Sequence, residues 1–231
     1  MMLCSCSDSV EPLEIGIPWQ NGEITLMEVS REGELLFYDE SRIEIEEHHL
    51  LFSTEYQFTG APLVRRIYMD PETLCPRRNE TIITDGAGKK SSLEVLYGEK
   101  RIRVKKNRGQ GNDITTVDLP APPFFDNEQF TLLVRALPLE RGWKSRIRLF
   151  VPATAQTVII NLEVIRQEEV TVPAGTYNCY VVELEDLGQW VWVGVDPPHP
   201  LVKHVNESAG TLSELAEYYP GGSEEESDPG R

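Results

Sequence analysis

Long apolar stretches are absent from this sequence of 231 residues. No run of about 18 apolar residues occurs, which is the length that a membrane-spanning helix needs. Positive charge is also scarce, because 22 Lys and Arg stand against 38 Asp and Glu, for a formal net charge of −16. An acidic field of this size repels nucleic-acid phosphates, so we expect no nucleic-acid partner.

Several chemical motifs are missing as well. The sequence contains no Gly-x-Ser-x-Gly elbow, no phosphate-binding loop and no dinucleotide fingerprint. The adjacent His48 and His49 point to opposite faces of any strand and cannot chelate together. We therefore expect no catalytic residue, no cofactor and no metal site, and a protein that is not an enzyme.

The four cysteines lie at positions 4, 6, 75 and 179, without zinc-finger spacing. In an exported protein Cys75 and Cys179 could pair, which the sequence leaves open. The segment Leu3-Cys4-Ser5-Cys6, followed by polar residues, resembles a bacterial lipobox in which Cys6 carries the lipid. We expect residues 1–20 to be a lipoprotein tether; the alternative is a disordered lead.

This interpretation predicts an extracytoplasmic lipoprotein that is anchored in the membrane through Cys6. A secretory signal needs a basic region and an apolar region before its cysteine. Neither precedes Cys6, so we expect the true signal peptide to be missing from this chain.

Short strands dominate the rest of the chain. Apolar and polar residues alternate over many short segments that are bounded by Gly, Pro, Asn and Asp. The segments recur about every ten residues, which predicts an antiparallel meander or barrel. The predicted strands are 23–30, 35–38, 43–45, 50–58, 63–69, 81–84, 93–97, 101–105, 143–151, 157–165, 170–172, 177–184, 189–195, 201–205 and 211–218.

One helix interrupts this pattern, at about residues 126–137. Asp126 followed three residues later by Gln129 indicates a capped helix start. Apolar residues then recur on one helical face: Phe130, Leu133, Val134 and Leu137. Pro138 ends the helix.

The carboxy-terminal strands are apolar on both faces, so both faces must be covered by protein or by a ligand. Trp190 and Trp192 lie two residues apart and share one face, whereas Val191 and Val193 share the other. One pair should meet the helix. The predicted ligand-binding residues are Trp190, Trp192, Tyr177 and Tyr180; the alternative is that these aromatic side chains are ordinary core.

The segment 170–184 carries the motif Val-Pro-Ala-Gly-Thr-Tyr-x-Cys. Other characteristic segments are 118–120, 126–127, 135–139, 190–192 and 200–203. Together they resemble a bacterial domain family of unknown function, over about residues 21–219. The resemblance implies a β-rich, extracytoplasmic fold, often in lipoproteins, with a half-open barrel and a helix, similar in outline to periplasmic lipoprotein carriers.

The sequence thus predicts a mainly β fold: an antiparallel meander that forms a half-open barrel or curved sheet, with one short helix. We expect a single β-rich domain over residues 21–219 and a disordered acidic tail over 220–231. The expected function is a cell-envelope binding protein that holds a lipid or another apolar small molecule. The alternative is a structural or protein-interaction module of the envelope with no ligand cavity.

Overall fold

The computed structural model describes residues 10–58, 61–108, 111–119, 122–185 and 187–222. A short 3-10 turn at Asn127–Gln129 leads into the helix α1, Phe130–Arg135. The strands β1 to β15 are, in order, Ile24–Arg31, Glu34–Glu46, His49–Gln57, Leu63–Met69, Pro76–Thr84, Lys90–Tyr97, Arg101–Asn107, Asn112–Asp118, Phe125–Asp126, Lys144–Val151, Gln156–Val172, Gly175–Leu184, Gln189–Gly194, Leu201–Asn206 and Thr211–Tyr219.

All fifteen strands form one sheet, in the order β8-β7-β6-β5-β4-β3-β2-β1-β15-β14-β13-β12-β11-β10-β9. Neighbours along the chain pair antiparallel from β1 to β8 and from β10 to β15, and β15 returns to pair with β1. Within the described residues the sheet is not closed, because β8 and β9 stand at its two ends. The predicted mainly β meander, with an open barrel-like form and one short helix, is confirmed.

Side chains bring the two ends of the curved sheet together. Phe124 and Phe150 pack against Val95, Ile102 and Val104 of β6 and β7. Further hydrogen bonds cross the same gap, from Asn79 Nδ2 and from the Tyr97 hydroxyl to Asp126 Oδ2, at 2.7 and 2.5 Å. The sheet therefore encloses an interior even though backbone pairing does not complete the barrel.

The predicted helix start is confirmed. The Asp126 side chain accepts a hydrogen bond from the Glu128 backbone N–H, and the Gln129 side-chain oxygen accepts one from the Asp126 backbone N–H, as in a capping box. Its first turn is a 3-10 turn and the α-helix ends at Arg135, two residues earlier than predicted. The apolar face packs into the main core, and Val191 and Val193 of β13 are the pair that meets it.

A buried ion pair fastens the end of α1 to the sheet. Arg135 Nη1 lies 2.7 Å from Glu23 Oε1, and the two side chains are 5% and 1% exposed. Arg135 also donates to the backbone carbonyls of Pro198 and His199, and Tyr218 donates its hydroxyl to Glu23. The helix is thus held against one end of the barrel interior.

The long hairpin of β11 and β12 covers the outside of the sheet. Its tip reaches β15, where the Ala174 backbone N–H donates to the Leu215 carbonyl at 3.0 Å. Beneath it lies a second cluster of buried side chains, here called the outer cluster, although its Met27 also borders the barrel interior: Met27, Val172, Cys179, Val181, Trp192, Val202 and Leu215. The protein itself therefore supplies a cover for the face of β13 that carries the tryptophans.

Several strands differ from the prediction. Strand β2 joins the predicted strands 35–38 and 43–45, β5 begins at Pro76 rather than at residue 81, and β9 was not predicted. Residues 157–165 and 170–172 belong to one strand, β11, because a bulge at Ile165 interrupts the alternation without ending the pairing with β12. Strand β8 was missed. It is an edge strand with almost no buried residue, so it carries little apolar pattern.

Candidate functional site

The interior of the barrel is not completely filled. A cavity of about 780 Å³ lies between the start of α1 and the strand ends near residues 31–34, Leu184 and Gln189. Val158 and Leu187 line it and are 38% and 40% exposed, so the cavity reaches the surface at this end. Its lining comprises Met27, Val29, Phe37, Asp39, Ser41, Phe52, Thr54, Tyr56, Asn127, Glu128, Phe130, Thr131, Leu149, Val151, Val158, Ile159, Ile160, Leu184, Leu187, Gln189, Leu201, His204, Asn206, Thr211 and Ser213.

Apolar and polar side chains occupy different parts of this lining. Strands β10 to β12 contribute an apolar wall, consisting of Leu149, Val151, Val158, Ile160 and Leu184. Strands β2 and β3, with the 3-10 turn, contribute a polar wall, consisting of Asp39, Ser41, Thr54, Tyr56 and Glu128. The arrangement suits a molecule with an apolar body and a polar end.

Strands β13 to β15 add an uncharged polar patch. Gln189, His204 and Ser213 belong to it, and His204 Nε2 lies 3.2 Å from Gln189 Oε1. Burial lowers the pKa of His204, which favours its neutral form. This patch therefore offers hydrogen bonds without a charge.

Aromatic side chains crowd the open end of the polar wall. The ring of Phe37 lies 4.3 Å from that of Phe58 and 5.6 Å from that of Tyr56, between ring centroids. Phe58 is exposed, as are Leu35 and Leu36 in the hairpin of β1 and β2. The entrance to the cavity is thus apolar on this side.

Arg65 stands behind the polar wall and is fully engaged there. Its Nη1 lies 2.8 Å from Glu128 Oε2 and donates to the Tyr56 hydroxyl at 3.1 Å. Its Nε donates to Thr81 Oγ1 at 3.3 Å. This network joins β3, β4 and β5 to the 3-10 turn, so it fixes the geometry of the wall.

Two oxygen atoms of the polar wall have no partner among the described residues. Asp39 Oδ1 and Thr54 Oγ1 are both out of contact with solvent and accept no hydrogen bond. The side chains lie diagonally on paired strands, because Ser41 opposes Thr54 and Asp39 opposes Tyr56. Unpartnered polar atoms are uncommon in protein interiors, so each one needs an explanation.

The protonation of this region is strongly perturbed. Burial raises the pKa of Asp39 from 3.8 to about 7, against the lowering effect of Arg65. Burial also raises the pKa of Asp126 to about 6, although hydrogen bonds from Tyr97 and Asn79 oppose the rise. For Tyr56, burial and then the charge of Asp39 raise the pKa to about 12. Asp39 is therefore the group of the wall whose charge changes near neutral pH.

The predicted ligand-binding aromatics lie elsewhere. Trp192 is in the outer cluster, where its Nε1 donates to Glu168 Oε1 at 2.7 Å, and Trp190 and Tyr177 pack against the same cluster. Tyr180 packs against the inner core. None of the four is among the described residues that line the cavity. A ligand role for them stays a prediction.

The polar wall was not predicted from the sequence, although the sequence carries a signal for it. In β4, Arg65 occupies the same face as the buried Ile67 and Met69, and in β3 Thr54 follows the buried Leu50 and Phe52 at alternate positions. A polar residue on the apolar side of an alternating strand marks either a buried network or a site.

Other expected features can be placed in part. Cys75 and Cys179 are free thiols in the structure, and burial raises the pKa of Cys179 to about 12. Cys6 lies outside the described residues. In the described part of the chain, no three His, Cys, Asp or Glu side chains are grouped to hold a metal ion. The same ranges contain no helix with the length and apolarity needed to cross a membrane.

Comparison with solved structures supports the architecture. The chain is similar to the "Beta-barrel-like Protein of Domain of Unknown Function DUF1849" from Brucella abortus, with a TM-score of 0.52 and 10% identity. The match covers 91% of this chain and 98% of that chain. At this identity the likeness concerns the fold alone.

Comparison with protein sequences agrees with the expected kind of family. No curated protein matches the chain. A family model described as "Protein of unknown function (DUF3108)" matches residues 40–210, a range that includes the Val-Pro-Ala-Gly-Thr-Tyr-x-Cys motif and most of the sheet. By this match the chain belongs to the DUF3108 family of proteins of unknown function.

Proposed function

We propose that this protein is a binding protein, without catalytic activity, that holds an amphipathic small molecule in the cavity of its half-open barrel. The observation that carries the proposal is the cavity of about 780 Å³, which has an apolar wall, a polar wall and an opening at one end. Its volume lies within the range of about 300–1,000 Å³ that is typical of small-molecule sites.

The apolar wall supports a lipid-like ligand. Each buried methylene group contributes about 0.8 kcal/mol, so about ten of them give about 8 kcal/mol before association costs are subtracted. A dissociation constant of micromolar order corresponds to about 8 kcal/mol. We therefore expect micromolar or weaker binding for a simple alkyl chain, and tighter binding only where polar contacts add to it.

The test is a titration with an uncharged dye whose emission reports an apolar environment. The variant Ser213→Trp places a large ring in the cavity, because Ser213 of β15 lines it. The matched variant Leu212→Trp places the same ring on the adjacent residue, which does not line the cavity. The parent protein and Leu212→Trp should bind the dye similarly, whereas Ser213→Trp should bind it at least about ten-fold more weakly, because the cavity is filled.

Two results would contradict the proposal. One is the absence of saturable dye binding by the parent protein. The other is equal binding by both tryptophan variants, each shown to be folded by its melting transition, because the dye would then bind outside the cavity. A long-chain alcohol should also displace the dye from the parent protein.

We further propose that the protein acts in the cell envelope and is anchored there by lipid on Cys6. The support is the segment Leu3-Cys4-Ser5-Cys6 with the polar residues that follow it. The protein is expressed behind a bacterial export signal and labelled with a palmitate analogue. Cys6→Ser should abolish the label and Cys4→Ser should retain it. A label that survives Cys6→Ser would refute this anchor.

A further inference from the structure

The polar wall of the cavity contains acceptors that nothing in the described structure uses. Thr54 is only 5% exposed, its Oγ1 has no hydrogen-bond partner, and the side chain lines the cavity. Asp39 Oδ1, on the neighbouring strand, is likewise without a partner. Because an unpaired polar group is costly to bury, a ligand group that satisfies both oxygen atoms would remove that cost on binding.

The charges around these acceptors favour one kind of ligand. The charged and titratable groups that face Asp39 are Tyr56, Arg65, Glu128 and, across the cavity, His204. Burial keeps His204 neutral, and Arg65 is already paired with Glu128 at 2.8 Å. No Lys or Arg is among the described residues that line the cavity. An anionic head group would therefore meet carboxylates and no free cation.

From this geometry we infer that the cavity recognises the polar end of its ligand as a hydrogen-bond donor, through Asp39 and Thr54, and discriminates against anionic ends. The ligand class is an apolar chain or ring system that ends in a hydroxyl, amide or ammonium group. This inference rests on the proposed function, because it names which amphipathic molecules the cavity takes.

The apolar and polar walls together set the orientation of the ligand in the cavity. The apolar wall of β10 to β12 suits its apolar body, whereas the donor group points towards β2 and β3. A hydroxyl donating to Asp39 Oδ1 can also accept a hydrogen bond from the Thr54 hydroxyl, since a threonine hydroxyl both donates and accepts. An ammonium group can donate to both oxygen atoms.

The test uses four straight-chain probes of equal length: an alcohol, its methyl ether, a primary amine and a carboxylic acid. Each displaces the uncharged dye from the full-length protein at about pH 8, where the amine is protonated and the acid ionised. We expect the alcohol to bind at least about ten-fold more tightly than the ether, which lacks the donor. The amine should exceed the carboxylate by at least about ten-fold.

Variants assign these preferences to the wall. Thr54→Val keeps the shape of the side chain and should reduce the ratio of alcohol to ether affinity at least about three-fold. Asp39→Asn should reduce the ratio of amine to carboxylate affinity about ten-fold, because it removes the charge. Glu40→Gln removes the same charge from the next residue of β2, which does not line the cavity, and should leave both ratios unchanged.

The possible results separate the two proposals. If all four probes displace the dye equally, or the carboxylate binds most tightly, the inference about the donor is wrong and the binding function stands. If no probe displaces the dye, both are wrong. If either wall variant fails to fold, the two affinity ratios of the unmodified protein decide the question.

Discussion

Replacing Asp39 with asparagine removes a carboxyl group whose proton affinity changes on folding. Burial raises its pKa from 3.8 in the unfolded chain to about 7, while the charge of Arg65 acts in the opposite direction. Between about pH 4 and pH 7 the folded state therefore binds more protons than the unfolded state. The contribution of Asp39 to the free energy of unfolding therefore falls as the pH rises through that window, and it is constant above it.

The pKa change sets the size of the effect. One pKa unit corresponds to about 1.4 kcal/mol, so the rise from 3.8 to about 7 gives an upper bound of about 4 kcal/mol. Although Asp39 Oδ1 is out of contact with solvent, the Asp39 residue as a whole is only half-buried, and partial solvation reduces the effect, so we expect about 2–3 kcal/mol. Asp39→Asn should therefore match the parent protein at about pH 4 and exceed its unfolding free energy by about 2–3 kcal/mol at about pH 8.

Urea denaturation at a series of pH values measures this difference directly. Burial also raises the pKa of Asp126 to about 6, which lowers the stability of both proteins alike, so the contribution of Asp126 cancels in the comparison. The matched variant Glu40→Gln, whose carboxylate makes an exposed ion pair with Arg42, should differ from the parent by less than about 0.5 kcal/mol at every pH. A pH-independent difference for Asp39→Asn would refute the assigned burial of this carboxyl group.

Three further changes test the fold around the cavity by denaturation. Arg135→Met should lower the free energy of unfolding by about 3–5 kcal/mol, because it leaves Glu23 buried without its partner, whereas Lys144→Met, at an exposed ion pair, should have a much smaller effect. Similar losses for the two variants would contradict the buried pair. Gly175→Val should lower the free energy of unfolding by about 1–3 kcal/mol, because Gly175 has φ 135° and a valine is strained there. An unchanged unfolding transition would refute the turn conformation assigned to Gly175. Trp192→Ala should lower the free energy of unfolding by about 3–5 kcal/mol, because Trp192 packs in the outer cluster. The affinity of the folded variant for the dye should stay unchanged. Loss of dye binding would instead place the binding site at the outer cluster.

Local patterns in the sequence predicted most of the strands and the start of the helix. The strand over 63–69 has the bounds that the alternation indicates, and the Asp126–Gln129 capping box forms as expected. Positive φ at Gly175 likewise follows from its place in a tight turn. These features depend on residues close in sequence, so short-range patterns are enough to find them.

The cavity depends on contacts between distant residues. Glu128 reaches Arg65 across 63 positions, and Thr54 faces Asp39 only because of the register between β2 and β3. Moving that register by one residue would turn either side chain to the outside. The edge strand β8 escaped detection for a different reason, because a largely exposed strand carries no apolar alternation.

A crystal structure with a bound brominated long-chain alcohol tests the account most directly, because bromine scatters anomalously and marks the position of the chain. We predict bromine density against Leu149, Ile160 and Leu184, with the hydroxyl group beside Asp39 and Thr54. Density at Trp190 and Trp192 in the outer cluster, or no ordered ligand at saturating concentration, would contradict it.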